Sequence, residues 1–155
     1  MGKTKIDIDD SELKKRVSEG AKKGLLLFAL RLSEEMALTL SQPGTGRTYR
    51  IGKGRTHRAS APGFPPAVRT GLLRRSYSLS MDGKAGDVGF MEWYASVNKN
   101  KMGFQYGTNV DYAAELEDPQ DKNRPHLLPT LKFVEGQLEE LVNRGIADAL
   151  TDYFA

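Results

Sequence analysis

The chain has no cysteine, so a disulfide framework, a thiolate zinc site and a cysteine nucleophile are all excluded. Long apolar runs are missing too. The longest covers residues 25–30 and ends at Arg31, far short of the ~20 residues a membrane-spanning helix requires. The first ten residues, MGKTKIDIDD, are charged and contain no apolar signal core. These absences lead us to expect a soluble, non-secreted protein of a reducing compartment.

The most telling absence is of negative charge. Residues 37–80 contain no Asp or Glu, yet they carry eight cations: Arg47, Arg50, Lys53, Arg55, Arg58, Arg69, Arg74 and Arg75. The whole chain, with 23 Lys and Arg against 20 Asp and Glu, is only +3, so everything outside that segment is net acidic. A basic segment on an acidic body suits a polyanion such as nucleic acid, or the acidic flank of a neighbouring copy. Those eight residues are the candidate subunit or DNA contacts.

What is present fits one domain. A chain of 155 residues with 39% hydrophobic content can build a modest core. Residues 42–71 are rich in Gly, Pro and Ser, which favour neither helix nor central strand, and we read them as an extended basic arm outside that core. No internal repeat is visible.

Residues 11–40 follow a helical pattern, with Leu13, Val17, Ala21, Phe28, Leu32 and Met36 on one stripe and Ser11 as a plausible N-cap. A helix of that length spans roughly 45 Å, longer than a domain of this size needs, so contact with neighbours is expected. Gly20 and Gly24 lie one turn apart on it, and a closely packed partner element is the simplest reason for both. Residues 73–81 alternate Leu73, Arg75, Tyr77, Leu79 and Met81 against Arg74, Ser76, Ser78 and Ser80, which predicts a half-buried strand. DGKAGD at 82–87 reads as a turn, 88–97 as a second strand, 98–103 as another turn, and 104–106 as a returning strand. Residues 111–117 read as a short helical or irregular segment. A last helix follows with Pro129 at its first position, and its stripe of Leu131, Val134, Leu138, Leu141, Val142, Ile146 and Leu150 carries it to about Phe154. The expected class is α+β: a long N-terminal helix, an extended basic loop, a small antiparallel sheet of three to four strands, and a C-terminal helix packed on the sheet.

Catalytic and cofactor motifs are weak. A P-loop places four residues between its Gly and a Gly-Lys pair followed by Ser or Thr, but here five separate Gly46 from Gly52 and Gly54 follows Lys53. His57 sits among cations with no carboxylate nearby in sequence, and Ser60 and Ser76 lack a nucleophile-elbow context. Glu115, Glu117, Asp118 and Asp121 read as a solvated acidic edge without calcium-loop spacing. We expect no enzyme, no cofactor and no bound metal. Nucleic-acid binding is better supported, because the eight cations are an electrostatic footprint and Tyr49, Phe64 and Tyr77 are available to stack. The APGFPP stretch at 61–66 instead suits a strap laid on protein.

The run HRASAPGFPPAVRTGLLRRSYS, residues 57–78, resembles a segment of bacteriophage minor structural proteins, the neck or tail-component family of long-tailed phages. Three further pieces resemble that family in order: GTGRTYR at 44–50, VDYAAELE at 110–117 and RPHLLPTL at 124–131. Relatives usually carry Gly-Thr after the last Glu of the second piece, where this chain has Asp118 and Pro119. The resemblance implies a non-enzymatic virion component of the head-tail junction. It would form a homo-oligomeric ring that joins connector to tail and lets DNA pass, with the connector and tail proteins as partners. Non-specific contact with passing DNA would be possible, no membrane would be involved, and assembly would take place in the host cytoplasm. From the residues alone, a small basic-arm DNA-binding module remains the alternative.

Overall fold

A computed structural model describes residues 10–80, 91–97, 100–108 and 110–154. The chain mixes helix and sheet, and its longest element is the helix α1, Asp10–Thr39. The expected stripe is the buried one: Ala21, Leu25, Phe28, Ala29, Leu32 and Met36 are all buried, while Leu13 and Val17 nearer the start are half-buried. Ser11, the expected cap, lies inside the described helix.

Gly20 and Gly24 have the reason anticipated for them. The helix α5, Leu138–Phe154, crosses α1 there. A Cβ on Gly20 would come within 2.5 Å of the Gly145 carbonyl oxygen, and one on Gly24 would strike the Leu141 carbonyl. Gly145 returns the contact, since its own Cβ would strike the Gly20 carbonyl. Three missing side chains therefore let two backbones touch, which offsets the ~1 kcal/mol that each helical glycine costs.

Two corrections concern the C-terminal half. The single helix expected from Pro129 is two: α4, Leu127–Glu135, and α5, separated at Gly136 and Gln137. The Gln137 amide reaches back three residues to the Val134 carbonyl at 2.9 Å, tightening the chain just where glycine weakens the helix. Nor is the sheet the main partner of the C-terminal helix. α5 packs chiefly along α1, and α1 in turn packs on the sheet.

That sheet has three described strands in the order β3-β5-β4, antiparallel throughout. They are β3, Ser78–Ser80, β4, Met91–Val97, and β5, Asn100–Gly107. Phe104 and Tyr106 of β5 are buried, and Phe28 of α1 meets Phe104 with ring centroids 5.9 Å apart. Leu131 and Val134 of α4 complete this core. The returning strand thus starts at Asn100, inside the stretch expected to be a turn. The 82–87 turn, the start of the second strand at Val88, and Met81 lie outside the described residues.

The strand expected from Leu73 begins later. Residues Leu72–Ser76 form a helical turn, α2, started by Gly71 at φ 74° and by Thr70, whose hydroxyl accepts from the Leu72 amide at 3.2 Å. The misreading has a physical cause: a spacing of four brings Leu73 and Tyr77 to the same side in either a strand or a helix. Finally, of the helical and irregular alternatives at 111–117 the helical one is found over α3, Ala113–Glu117.

Candidate functional site

The basic arm is folded, which corrects the expectation of a bare extended loop. Within it, β1, Thr48–Arg50, pairs antiparallel with β2, Thr56–Arg58, in the register Thr48 to Arg58, Tyr49 to His57 and Arg50 to Thr56. Lys53 and Gly54 at the tip both have positive φ, 44° and 76°, as the favoured hairpin turn demands, and the Arg55 amide closes the turn on the Gly52 carbonyl at 3.0 Å. At the base, the Gly46 amide donates to Ala59 at 2.7 Å and the Ala61 amide donates to the Thr45 hydroxyl at 3.1 Å. The following strap is tied down as well, through the Gly63 amide and the Asn123 carbonyl at 2.7 Å. Under it lies a cleft of about 480 Å³, lined in part by Leu40, His57, Val68, Leu73, Tyr112 and Leu116.

The eight candidate cations divide into two groups. Arg47, Arg50, Lys53, Arg55 and Arg58 gather on the hairpin, all exposed. Arg47 lies over the Tyr49 ring at 5.6 Å, and Arg58 donates to the Gly46 and Thr45 carbonyls at 3.1 and 3.4 Å. Arg69, Arg74 and Arg75 sit lower, around the strap and α2, where Arg74 donates to the Ser41 hydroxyl at 2.9 Å and Arg75 to the Thr70 carbonyl at 3.2 Å. Among the described residues none of the eight pairs with a carboxylate.

A second arrangement escaped the sequence reading. Glu117, expected in a solvated acidic edge, instead turns inward and caps α4, Leu127–Glu135. One carboxylate oxygen accepts from the amides of His126 and Leu127 at 2.9 and 3.2 Å, and the other from Leu128 at 2.9 Å. Pro129, at the third helical position and not the first as expected, has no amide hydrogen to satisfy. A single carboxylate thereby serves all the donors that the helix start leaves open.

The His126 ring, 0% exposed, continues this network. Its Nδ1 lies 2.8 Å from Glu117 and 2.9 Å from the Arg124 carbonyl, two acceptors that place the proton on this nitrogen. Nε2 is then free to accept from the Tyr77 hydroxyl at 2.8 Å. Burial, and secondarily the Glu117 and Tyr106 charges, raises the Tyr77 pKa far above its ordinary value. Tyr77 therefore stays a neutral donor rather than becoming a phenolate nucleophile. Burial is also the largest influence on Glu117 and pushes its pKa up, but the His126 ring and the Leu128 and His126 amides together overcome it and hold the carboxyl at about 2.

Sequence offered one signal for this cap. His126 at the N-cap makes no side-chain cap bond, so a helix opening His-Leu-Leu-Pro needs an acceptor from elsewhere in the chain. Asp118, Asp121 and Glu115 do remain exposed, with Asp121 paired to Lys122 at 3.0 Å. Among the described residues no cluster of three or more His, Asp or Glu is arranged to hold a metal ion, and no helix is long and apolar enough to cross a membrane.

No protein-family model, curated protein or solved structure matches the chain.

Proposed function

We propose that the protein is a non-enzymatic structural component of a bacteriophage head-tail junction, a neck or tail-completion protein that assembles as a ring, joins connector to tail and lets DNA pass. The architecture that goes with this reading is a sheet of three to four strands braced by helices. The observation that carries the proposal is the joining of two phage-like segments in one unit: Glu117 ends VDYAAELE, and it caps the helix opened by RPHLLPTL. The two pieces, separated only by residues 118–123, thus have a shared structural reason to occur together.

Two further features support assembly. Leu30 and Leu38 on α1 and Phe133 on α4 are exposed, Phe133 to 65%, leaving apolar side chains for neighbouring subunits. A ring also requires head-to-tail contacts between unlike faces, and these exposed side chains lie on two different helices of the one chain.

Light scattering over a range of concentration and salt, with negative-stain images of any large species, tests the proposal. A closed ring with a central hole is the expected result. A monomer at every condition, joined by failure to assemble on isolated phage connectors, would contradict it.

A further inference from the structure

The hairpin has two unlike faces. Because side chains alternate along a strand, the register places Thr48, Arg50, Thr56 and Arg58 on one face and Tyr49 with His57 on the other. His57 is half-buried and lines the cleft beside Leu40 and Leu73, so its face turns toward the body. The opposite face, with two guanidiniums and two hydroxyls, looks outward, and Lys53 and Arg55 extend its charge to the tip.

We propose that this outward face of β1–β2 binds double-stranded DNA through its phosphates. The proposal deepens the function given above, on which its biological setting rests, by naming the partner of the hairpin. Three observations favour DNA over a second copy of the chain.

First, the five hairpin cations are all exposed, are gathered on one small element and have no carboxylate partner among the described residues, whereas Lys14, Arg16, Lys23, Arg31 and Lys122 in the body are paired within the chain and the unpaired Lys15, Lys22, Lys132 and Arg144 are spread over three helices. Second, Thr48, Arg50, Thr56 and Arg58 include no apolar anchor. Protein interfaces centre on buried aromatic and aliphatic groups, while DNA interfaces are polar and strongly positive. Third, the shape fits. Two strands about 5 Å apart make a ribbon narrow enough for a major groove about 12 Å wide, and a tip locked in a tight turn holds the cations in place before binding. Arg58 is steadied in the same way by the Gly46 and Thr45 carbonyls. Threonine hydroxyls add phosphate donors.

The test is fluorescence anisotropy of a labelled 20-base-pair mixed-sequence duplex titrated with the full chain between 50 and 200 mM NaCl. Four or five phosphate contacts predict a slope of log K against log salt of about −4. In the triple variant Arg50→Gln, Lys53→Gln, Arg58→Gln, the slope should fall to about −1 to −2, with binding at 100 mM salt at least about tenfold weaker. Lys53→Asn alone should reduce the slope by about one; asparagine tolerates the positive φ at this position, so the hairpin is kept even where the triple variant fails to fold. No binding by the wild type at 50 mM salt would overturn the proposal, as would an unchanged slope in Lys53→Asn. A triple variant that loses self-association but binds the duplex as before would also overturn it and assign the face to a second copy. Mass measured on the same samples keeps the two ideas apart: rings without duplex binding refute only the DNA assignment, and duplex binding by a monomer that also fails to assemble on connectors refutes only the ring.

Discussion

The helical body and the β1–β2 hairpin treat charge in opposite ways, and the contrast separates what holds the chain together from what it leaves for a partner. In the body, Lys23 of α1 meets Asp148 of α5, Arg31 meets Glu34 and Glu35, and Lys122 meets Asp121. Pairs as exposed as these contribute ~0–1 kcal/mol each, so their main effect is to neutralise the surface. The inward-turned Glu117 is different, because its carboxylate is mostly covered and serves three amides and a buried ring. On the hairpin the cations have backbone or aromatic neighbours at most. Part of the body's charge is therefore consumed by the fold, while the hairpin cations have no carboxylate partner among the described residues.

The sharpest way to break the body's half of this contrast is Glu117→Gln. A carboxyl held at about 2 against an ordinary 4.5 in the unfolded chain corresponds to about 3 kcal/mol of stability. Because the folded pKa is the lower one, that stability is fully present above pH 4.5 and is lost as the pH falls through about 2. Urea denaturation should show the variant about 3 kcal/mol less stable at pH 7, with the gap to wild type closing at pH 2–3. Equal stabilities at pH 7 would refute the capping role.

Gly24→Ala comes next. Alanine favours a helix by about 1 kcal/mol, but its methyl would strike the Leu141 carbonyl, and forcing backbones apart in a packed contact typically costs about 1–3 kcal/mol. With backbone atoms this close the cost falls toward the upper end of that range, leaving a net loss of up to about 2 kcal/mol by the same denaturation measurement. A stabilised variant would mean that α1 and α5 do not cross at the glycines. A smaller effect is expected of Tyr77→Phe, which removes the hydroxyl from His126 Nε2 while keeping the ring stacked on Tyr106, with centroids 5.5 Å apart. A loss of about 1 kcal/mol is expected, and no loss would mean that the ring nitrogen is satisfied in another way.

The smallest energetic effect belongs to the hairpin tip. Brief trypsin treatment should cut first after Arg50, Lys53 or Arg55, whose residues are exposed, and leave the strap bound at Gly63 uncut. Mass spectrometry of the first fragments reads this directly. Initial cleavage at Arg69 would show the strap, not the tip, to be the more open part.

The body was the more legible half. Ala21, Phe28, Leu32 and Met36 repeat at helical spacing over enough turns for their burial to be read directly, and the glycine pair predicted a close neighbour. The hairpin was hidden because its strands are three residues long and almost wholly exposed, so no apolar alternation marks them. Only the Gly-Lys-Gly tip carried a signal, and it was equally compatible with an open loop. The Glu117 cap was hidden for a different reason. It joins residues nine to eleven apart across a loop and then reaches Tyr77, 49 positions from His126, and no local period encodes such a link.

One paired measurement bears most directly on the division between fold and free charge: denaturation and duplex binding of a variant with Arg47, Arg50, Lys53, Arg55 and Arg58 all changed to Gln. If the hairpin cations serve a partner, stability should stay within about 0.5 kcal/mol of wild type while duplex binding is lost. A stability loss above about 2 kcal/mol with binding intact would contradict this, placing those cations among the residues that hold the fold.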